Sequence, residues 1–134
     1  MSVYDELIRR HSRHYGPILD EIQAVLEAEL GPLAWRDRDD ARLLNDRTAM
    51  QSQDPIIRVG PVFGCGVASA AVDGVRLRDA VNRVLARHGF NELGPLQAEA
   101  WGLTHTSAND GYESILRVEL FGYAKAWVDV PVRG

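Results

Sequence analysis

The sequence predicts one α+β domain over residues 1–134, in which an antiparallel sheet ends in a three-stranded meander and two helices pack on one face. Three observations lead to this fold class. Two stretches carry apolar residues at helical spacing, and the last third alternates apolar and polar residues between turn dipeptides. The length of 134 residues suits a single hydrophobic core. Because the strands occur in runs and do not alternate with helices, an antiparallel sheet is favoured.

The long first helix is predicted from apolar residues at helical spacing over residues 7–30, and Gly31-Pro32 ends it. Gly16-Pro17 interrupts this stretch, but the apolar stripe stays in phase on both sides. A kinked single helix and two helices in near-continuation both fit that pattern. The second helix is predicted to begin after the N-cap Asp73 and to end at Gly89.

The region between the helices is predicted to contain short strands and one long loop. Residues 33–35 are a candidate first strand, and residues 36–54 are polar, so they are predicted to form a loop in which 40–45 could make one helical turn. Residues 56–59 and 62–68 read as two strands, because Gly60-Pro61 punctuates the apolar run between them.

The meander is predicted from two turns in the last third of the chain. Asp110-Gly111 is a strong hairpin signal, and a two-residue turn there would pair Asn109 with Tyr112. A three-residue loop around Gly122 would then pair Leu120 with Ala124. The register of the first hairpin places three pairs on one apolar face: His105 opposite Leu116, Leu103 opposite Val118, and Trp101 opposite Leu120.

The composition excludes several classes of function. The formal net charge is −4, which argues against a nucleic-acid-binding surface, because phosphate binding needs a basic stripe. The single cysteine allows neither an internal disulfide nor a cysteine-based metal framework, and no cofactor is expected. No signal-peptide pattern opens the chain, and no apolar stretch is long enough to span a bilayer. We therefore expect a cytoplasmic protein, unless an export signal has been removed.

A helix that ends in Val84-Leu85-Ala86-Arg87-His88-Gly89-Phe90, followed by a meander around Asp110-Gly111, resembles the C-terminal part of small actinobacterial lipoproteins of the LppA-like type. The long N-terminal helix and Trp35 fit that layout as well. This chain departs from the family in having no lipidated cysteine near its start and no second cysteine. The resemblance implies the α+β fold, and it brings no catalytic residues with it.

The outer face of the meander is the first candidate site. Trp and Arg are enriched at binding hot spots, so a face that carries both is a candidate for partner recognition. The alternative is cross-strand pairing alone, with an ion pair between Glu119 and Lys125 and a cation–π contact between Arg117 and Trp127. An outward Trp127 would cost little stability when truncated. The predicted partner-binding residues are Trp127, Arg117, Glu119, Lys125 and Asp129, and the predicted face also includes Thr104, Thr106 and Ile115.

A pocket between helix and sheet near Cys65, His105 and Trp101 is the second candidate. It would suit a small-molecule-binding domain or a small enzyme. A nucleophilic cysteine needs a neighbouring base, and every histidine is distant from Cys65 in the sequence, so a structural role for Cys65 is favoured.

Metal binding is not predicted. His11 and His14 are three residues apart, close enough on a helix to share a metal, but no third ligand sits at a matching spacing. The cluster Asp37, Asp39 and Asp40 could hold a hard cation, but interleaved arginines neutralise it.

Three functions remain open at the level of sequence. The first hypothesis is a non-catalytic domain that binds a protein partner through the open sheet face and the 36–54 loop, in an immunity-type or inhibitor-type role. The second is the small-molecule-binding domain or small enzyme. The third is a structural or oligomerising module, such as a homodimer, that pairs through its sheet edge or through Trp127.

Overall fold

The computed structural model describes residues 3–38, 41–44, 55–67 and 72–132. Within these ranges the chain forms an antiparallel sheet and two helices that share its core, which confirms the predicted α+β class. The elements in chain order are α1 (Val3–Leu30), β1 (Ala34–Trp35), β2 (Arg42–Leu44), β3 (Ile56–Cys65), α2 (Gly74–Arg87), β4 (Gln97–Ala98), β5 (Thr104–Asn109), β6 (Ile115–Leu120) and β7 (Tyr123–Pro131).

The C-terminal strand β7 lies in the middle of the sheet. The strand order is β1-β3-β7-β6-β5-β4, and β2 also pairs with β3, on the same side as β1. One face of the sheet packs against the helices and contributes buried residues from β3, β6 and β7 to the core. We call this the inner face. The opposite face, which carries the alternate residues of the same strands, is the outer face.

The first helix is continuous through Gly16-Pro17, so the single-helix alternative is the right one. Its buried stripe consists of Tyr15, Ile18, Leu19, Ile22 and Leu26. Gly31 has a φ of 86°, and its N–H donates to the Glu27 carbonyl at 2.9 Å, which ends the helix as predicted. No helix in the described ranges combines the length and apolarity needed to cross a bilayer.

The second helix begins and ends where the sequence predicts. The Asp73 carboxylate accepts a hydrogen bond from the Arg76 N–H at 3.1 Å, which is an N-cap. At the other end, Gly89 has a φ of 77° and the Phe90 N–H donates to the Leu85 carbonyl at 3.1 Å. That bond across a left-handed residue is the Schellman arrangement.

Two predictions for the middle of the chain are wrong. Residues 56–65 form one strand and not two, because a bulge between Val59 and Val62 keeps both valines on the inner face across Gly60-Pro61. Residues 42–44 form β2 instead of part of a helical turn. The remainder of the predicted helical turn and loop (39–40 and 45–54) and the predicted strand end at 68 lie outside the described residues.

The predicted register of the first hairpin is also wrong. Asn109 pairs with Ile115, and His105 pairs with Glu119 and not with Leu116. The turn is a three-residue loop closed by an Asp110 N–H to Ser114 carbonyl bond of 3.1 Å, with Glu113 in the left-handed region at φ 70°. This longer loop shifts β5 by an odd number of residues, so the strand presents the opposite set of side chains to each face.

The shift in register changes the positions of residues in β5 and in the turn before it. Thr104 and Thr106 lie on the inner face, although the sequence predicted them on the outer face. His105 and Ser107 lie on the outer face. Trp101 precedes β5 in a turn and is 63% exposed, so it does not belong to the meander's apolar face.

The second hairpin is confirmed. Leu120 pairs with Ala124, Val118 with Ala126 and Leu116 with Val128, and all six are buried. Gly122 has the predicted positive φ, 65°.

A buried polar cluster joins α1 to the first hairpin. The Tyr15 hydroxyl donates to Asp110 Oδ2 at 2.7 Å and lies 2.7 Å from Ser114 Oγ. Asp110 Oδ1 accepts the N–H groups of Tyr112 and Ser114, each at 2.9 Å. Burial, helped by the Asp110 carboxylate, raises the pKa of Tyr15 to about 12. This cluster therefore fixes both the shape of the turn and its position against the helix.

Tyr15→Phe should lower the free energy of unfolding by about 1–3 kcal/mol near neutral pH, because Asp110 Oδ2 and Ser114 Oγ lose a buried partner. The raised pKa makes this contribution fully present below about pH 10 and removes it as the pH rises toward about 12. Urea melts of both proteins across that range should therefore converge at high pH. Tyr112→Phe, at a tyrosine that is 83% exposed, is the control and should behave as wild type.

Pro17→Ala should raise the free energy of unfolding by about 1–3 kcal/mol, because Pro17 lies inside a continuous helix, where it removes a backbone donor. Thermal melts followed by circular dichroism would measure the change. A loss of stability would mean that the rigid Gly16-Pro17 step is needed to direct α1 along the sheet.

Candidate partner-binding face

The outer face carries all five residues that the sequence marks for partner binding. Strand β7 supplies Lys125, Trp127 and Asp129, and β6 supplies Arg117 and Glu119, in the predicted cross-strand pairs. Thr104 and Thr106 are absent from this face because the register of β5 with β6 turns them to the inner face. Strand β3 adds Arg58 and Phe63, which pair with Asp129 and Lys125, and β1 leads into Arg36, whose N–H donates to the Phe63 carbonyl.

Trp127 points to the outer face as predicted, but it is not exposed. Only 5% of it is accessible. The Arg58 guanidinium lies 5.2 Å and the Lys125 ammonium 4.8 Å from the ring centroid, so two cations stack against the indole. The prediction of an outward, solvent-facing anchor is therefore wrong, because the charged ends of Arg58 and Lys125 lie over the ring.

Asp129 holds the cations of this face in place. It accepts two hydrogen bonds from Arg58, at 2.8 Å from Nε and 3.1 Å from Nη2, and one from Trp127 Nε1 at 3.1 Å. Arg117 Nε approaches the same carboxylate at 3.8 Å. Because Asp129 is only 7% exposed, it orients its neighbours instead of offering its own oxygens to a partner.

The predicted side-chain contacts between β6 and β7 differ from the observed ones. The cation–π partners of Trp127 are Arg58 and Lys125, whereas Arg117 turns toward Asp129. Glu119 accepts a hydrogen bond from the Tyr123 hydroxyl at 3.2 Å. Burial, together with the neighbouring Glu119 charge, raises the pKa of Tyr123.

A row of aromatic rings that the sequence did not reveal crosses one end of the sheet. Phe63 stacks on Tyr123 with 5.0 Å between centroids, Phe121 meets Tyr123 at 6.3 Å, and Trp101 meets Phe121 at 5.4 Å. Arg36 lies over Phe63 at 4.5 Å. The sequence gives no signal for this row, because it depends on the pairing of β3 with β7, which are far apart in the chain.

A small cleft of about 250 Å³ opens beside this row. Its described lining brings together three cations from separate elements with one carboxylate: Arg36, Asp37, Arg42, Pro61, Phe63 and Lys125. Asp39 and Asp40, the other members of the predicted acidic cluster, lie outside the described residues.

Among the described residues, the cavity linings do not bring together the three residues predicted for a helix–sheet pocket. Cys65 is exposed at the end of β3, opposite Tyr123. His105 Nε2 lies 3.0 Å from Glu99 Oε1 on the outer side of β5. A larger cavity of about 620 Å³ does lie between helix and sheet, and its described lining includes Gly102 and Phe121 but not Cys65, His105 or Trp101.

The two histidines of α1 lie beside Tyr15. His14 meets the Tyr15 ring edge-on at 4.6 Å, and His11 stacks on it at 6.1 Å. Burial is the main cause that lowers the pKa of His11, and Arg10 and His14 add to it. Among the described residues no group of three His, Cys, Asp or Glu side chains is placed to hold a metal ion.

The predicted homodimer that pairs through a sheet edge would need an unpaired edge of the sheet. On the β5 side, the Ser107 carbonyl accepts the Gly94 N–H at 3.0 Å and the Asn109 carbonyl accepts the Asn91 N–H at 2.8 Å. The segment that follows α2 thus occupies part of that edge, and β4 pairs with the rest. Pairing of two copies through a sheet edge stays a prediction.

Trp127→Ala should lower the free energy of unfolding by about 3–5 kcal/mol, because the ring is almost fully buried and Arg58 and Lys125 pack against it. Val128→Ala, on the inner face, should cost about 2 kcal/mol. Trp127→Phe keeps most of the buried area and loses the Nε1–Asp129 bond, so it should cost about 1 kcal/mol. Denaturant melts of the three variants would measure this order. A near-neutral Trp127→Ala would show that the ring is solvent-exposed.

In comparisons with protein-family models, curated proteins and solved structures, nothing matches this chain.

Proposed function

We propose that this chain is a non-catalytic binding domain that recognises an acidic segment of a protein partner through the outer face of its sheet. The observation that supports it is the convergence of Arg36, Arg42, Arg58 and Lys125 on the half of that face formed by β1, β2, β3 and β7. An immunity-type or inhibitor-type role is the biological form that fits such a domain.

The local charge favours an acidic partner. The chain as a whole has a net charge of −4, and yet its single lysine and three of its arginines lie together here. The described carboxylates among them are Asp37, Asp129 and Glu119, which lies opposite Lys125 on β6. Asp129 is already engaged by Arg58 and Trp127, and Glu119 accepts a hydrogen bond from the hydroxyl of Tyr123. Charge complementarity of this kind guides the encounter and selects the partner.

The cations are held in fixed positions before a partner arrives. Arg58 is bound at two nitrogens by Asp129, and Lys125 stacks on Trp127. Arg36 stacks on Phe63. Side chains that are already ordered lose less conformational entropy on binding, so each contact contributes more to affinity. Arg117 is more exposed and would contact the partner at the margin of the face.

A fluorescein-labelled oligoglutamate peptide tests this proposal by fluorescence anisotropy at low ionic strength. Reversing two cations in the double variant Arg36→Glu with Lys125→Glu should weaken binding by about tenfold or more, which is about 1.4 kcal/mol or more. The matched control reverses the exposed Arg10 and Arg13 on α1, which changes the net charge by the same amount without altering the outer face.

If both double variants weakened peptide binding equally, the peptide would respond to net charge alone. The proposal that the outer face is the binding site would then be wrong. A single-stranded oligonucleotide that bound as tightly as the peptide, with the same dependence on Arg36 and Lys125, would replace the protein partner by a nucleic acid.

A further inference from the structure

The cavity of about 620 Å³ lies at the end of the molecule where α2 begins and the β6–β7 turn closes. It continues the hydrophobic core outward, since Val67 and Leu120 belong to the core cluster and Val72 packs against it. Apart from three glycines, its described lining consists of Val67, Val72, Leu96, Leu120, Phe121 and Thr104.

The chemistry of this lining is unlike that of the rest of the surface. A quarter of the chain is charged, but the described lining contains no charged side chain, and Thr104 supplies its one polar side-chain group. Sites for small ligands typically have volumes of about 300–1,000 Å³ and apolar walls with few polar groups. A charged ligand would lose its hydration there without gaining a partner.

Two exposed aromatic rings lie at the cavity, one in its lining and one packed against that ring. Phe121 is part of the lining and is 46% exposed, and Trp101 packs against it edge-to-face with 5.4 Å between centroids. Large aromatic side chains that stay exposed next to an apolar cavity provide a surface on which a flat apolar group can pack.

We propose that this cavity binds an uncharged, mainly apolar small molecule, with Phe121 and Trp101 against one side of it and the Thr104 hydroxyl as its polar contact. The site is distinct from the outer face, because Thr104 and Leu120 belong to the inner face of the sheet. It does not depend on the proposed function, and the two proposals can fail separately.

N-phenyl-1-naphthylamine, an uncharged dye that becomes fluorescent in apolar surroundings, is the probe. Wild-type protein should give a saturable one-to-one titration. Thr104→Phe fills the cavity and should weaken dye binding by about tenfold or more. Ser107→Phe adds a similar ring on the same strand but on the outer face, so it is the matched control and should leave the affinity unchanged.

Trp101→Ala provides a second comparison that does not touch the core, because Trp101 is mostly exposed. It should weaken dye binding by about threefold, whereas Tyr112→Ala, at an exposed aromatic in the other hairpin turn, should not. If Thr104→Phe fails to fold, the dye affinities of Trp101→Ala and Tyr112→Ala test the site by themselves. The proposed site would be wrong if the dye signal did not saturate. It would also be wrong if each variant and its control changed the dye affinity equally.

Competition distinguishes the ligand class. 1-Naphthalenemethanol should displace the dye, and 1-naphthoate, with the same rings and a negative charge, should need about tenfold or more higher concentration. Displacement by both at the same concentration would show that the cavity accepts anions, and the proposal of an uncharged ligand would be wrong.

Discussion

The hydrogen bonds of Asp110 determine how the meander faces the helices. Its carboxylate binds the N–H groups of its own turn and the hydroxyl of Tyr15 on α1. The turn therefore closes as a three-residue loop, and β5 pairs with β6 in the register that turns Thr106 and Ala108 inward. Since one step of register would exchange the two faces of β5, a single partly buried carboxylate decides which side chains β5 shows to solvent.

On the outer face, hydrogen bonds and cation–π contacts allow Asp129 and Trp127 to be buried. Asp129 can be nearly inaccessible because Arg58 and Trp127 satisfy its oxygens, and Trp127 can lie outside the main core because Arg58 and Lys125 cover its ring. The result is a rigid, mainly cationic surface on an acidic protein. The same network that stabilises the sheet also orders the groups that we propose to contact a partner, so stability and recognition are coupled at Trp127.

Two surfaces with different chemistry lie on opposite sides of the same sheet. The outer face presents ordered cations, whereas the cavity under α2 presents apolar walls and one hydroxyl. Phe121 connects them, because it lines the cavity and also belongs to the aromatic row that runs through Tyr123 to Phe63. A ligand in the cavity would therefore contact Phe121, which also packs against Tyr123 beside the proposed binding face.

Features that depend on neighbouring residues could be predicted from the amino-acid sequence alone. The caps at Asp73 and Gly89, the end of α1 at Gly31, and the β6–β7 hairpin all follow from local backbone chemistry, and the α+β class follows from hydrophobic periodicity. Three other features could not be predicted in this way: the register of the first hairpin, the bulge that unites β3, and the burial of Trp127. Each of these depends on a partner distant in the chain: Tyr15 for Asp110, β7 for the bulged strand, and Arg58 for the indole. Contacts between distant segments leave no periodicity in a single sequence, and so the candidate sites could be assembled only in three dimensions.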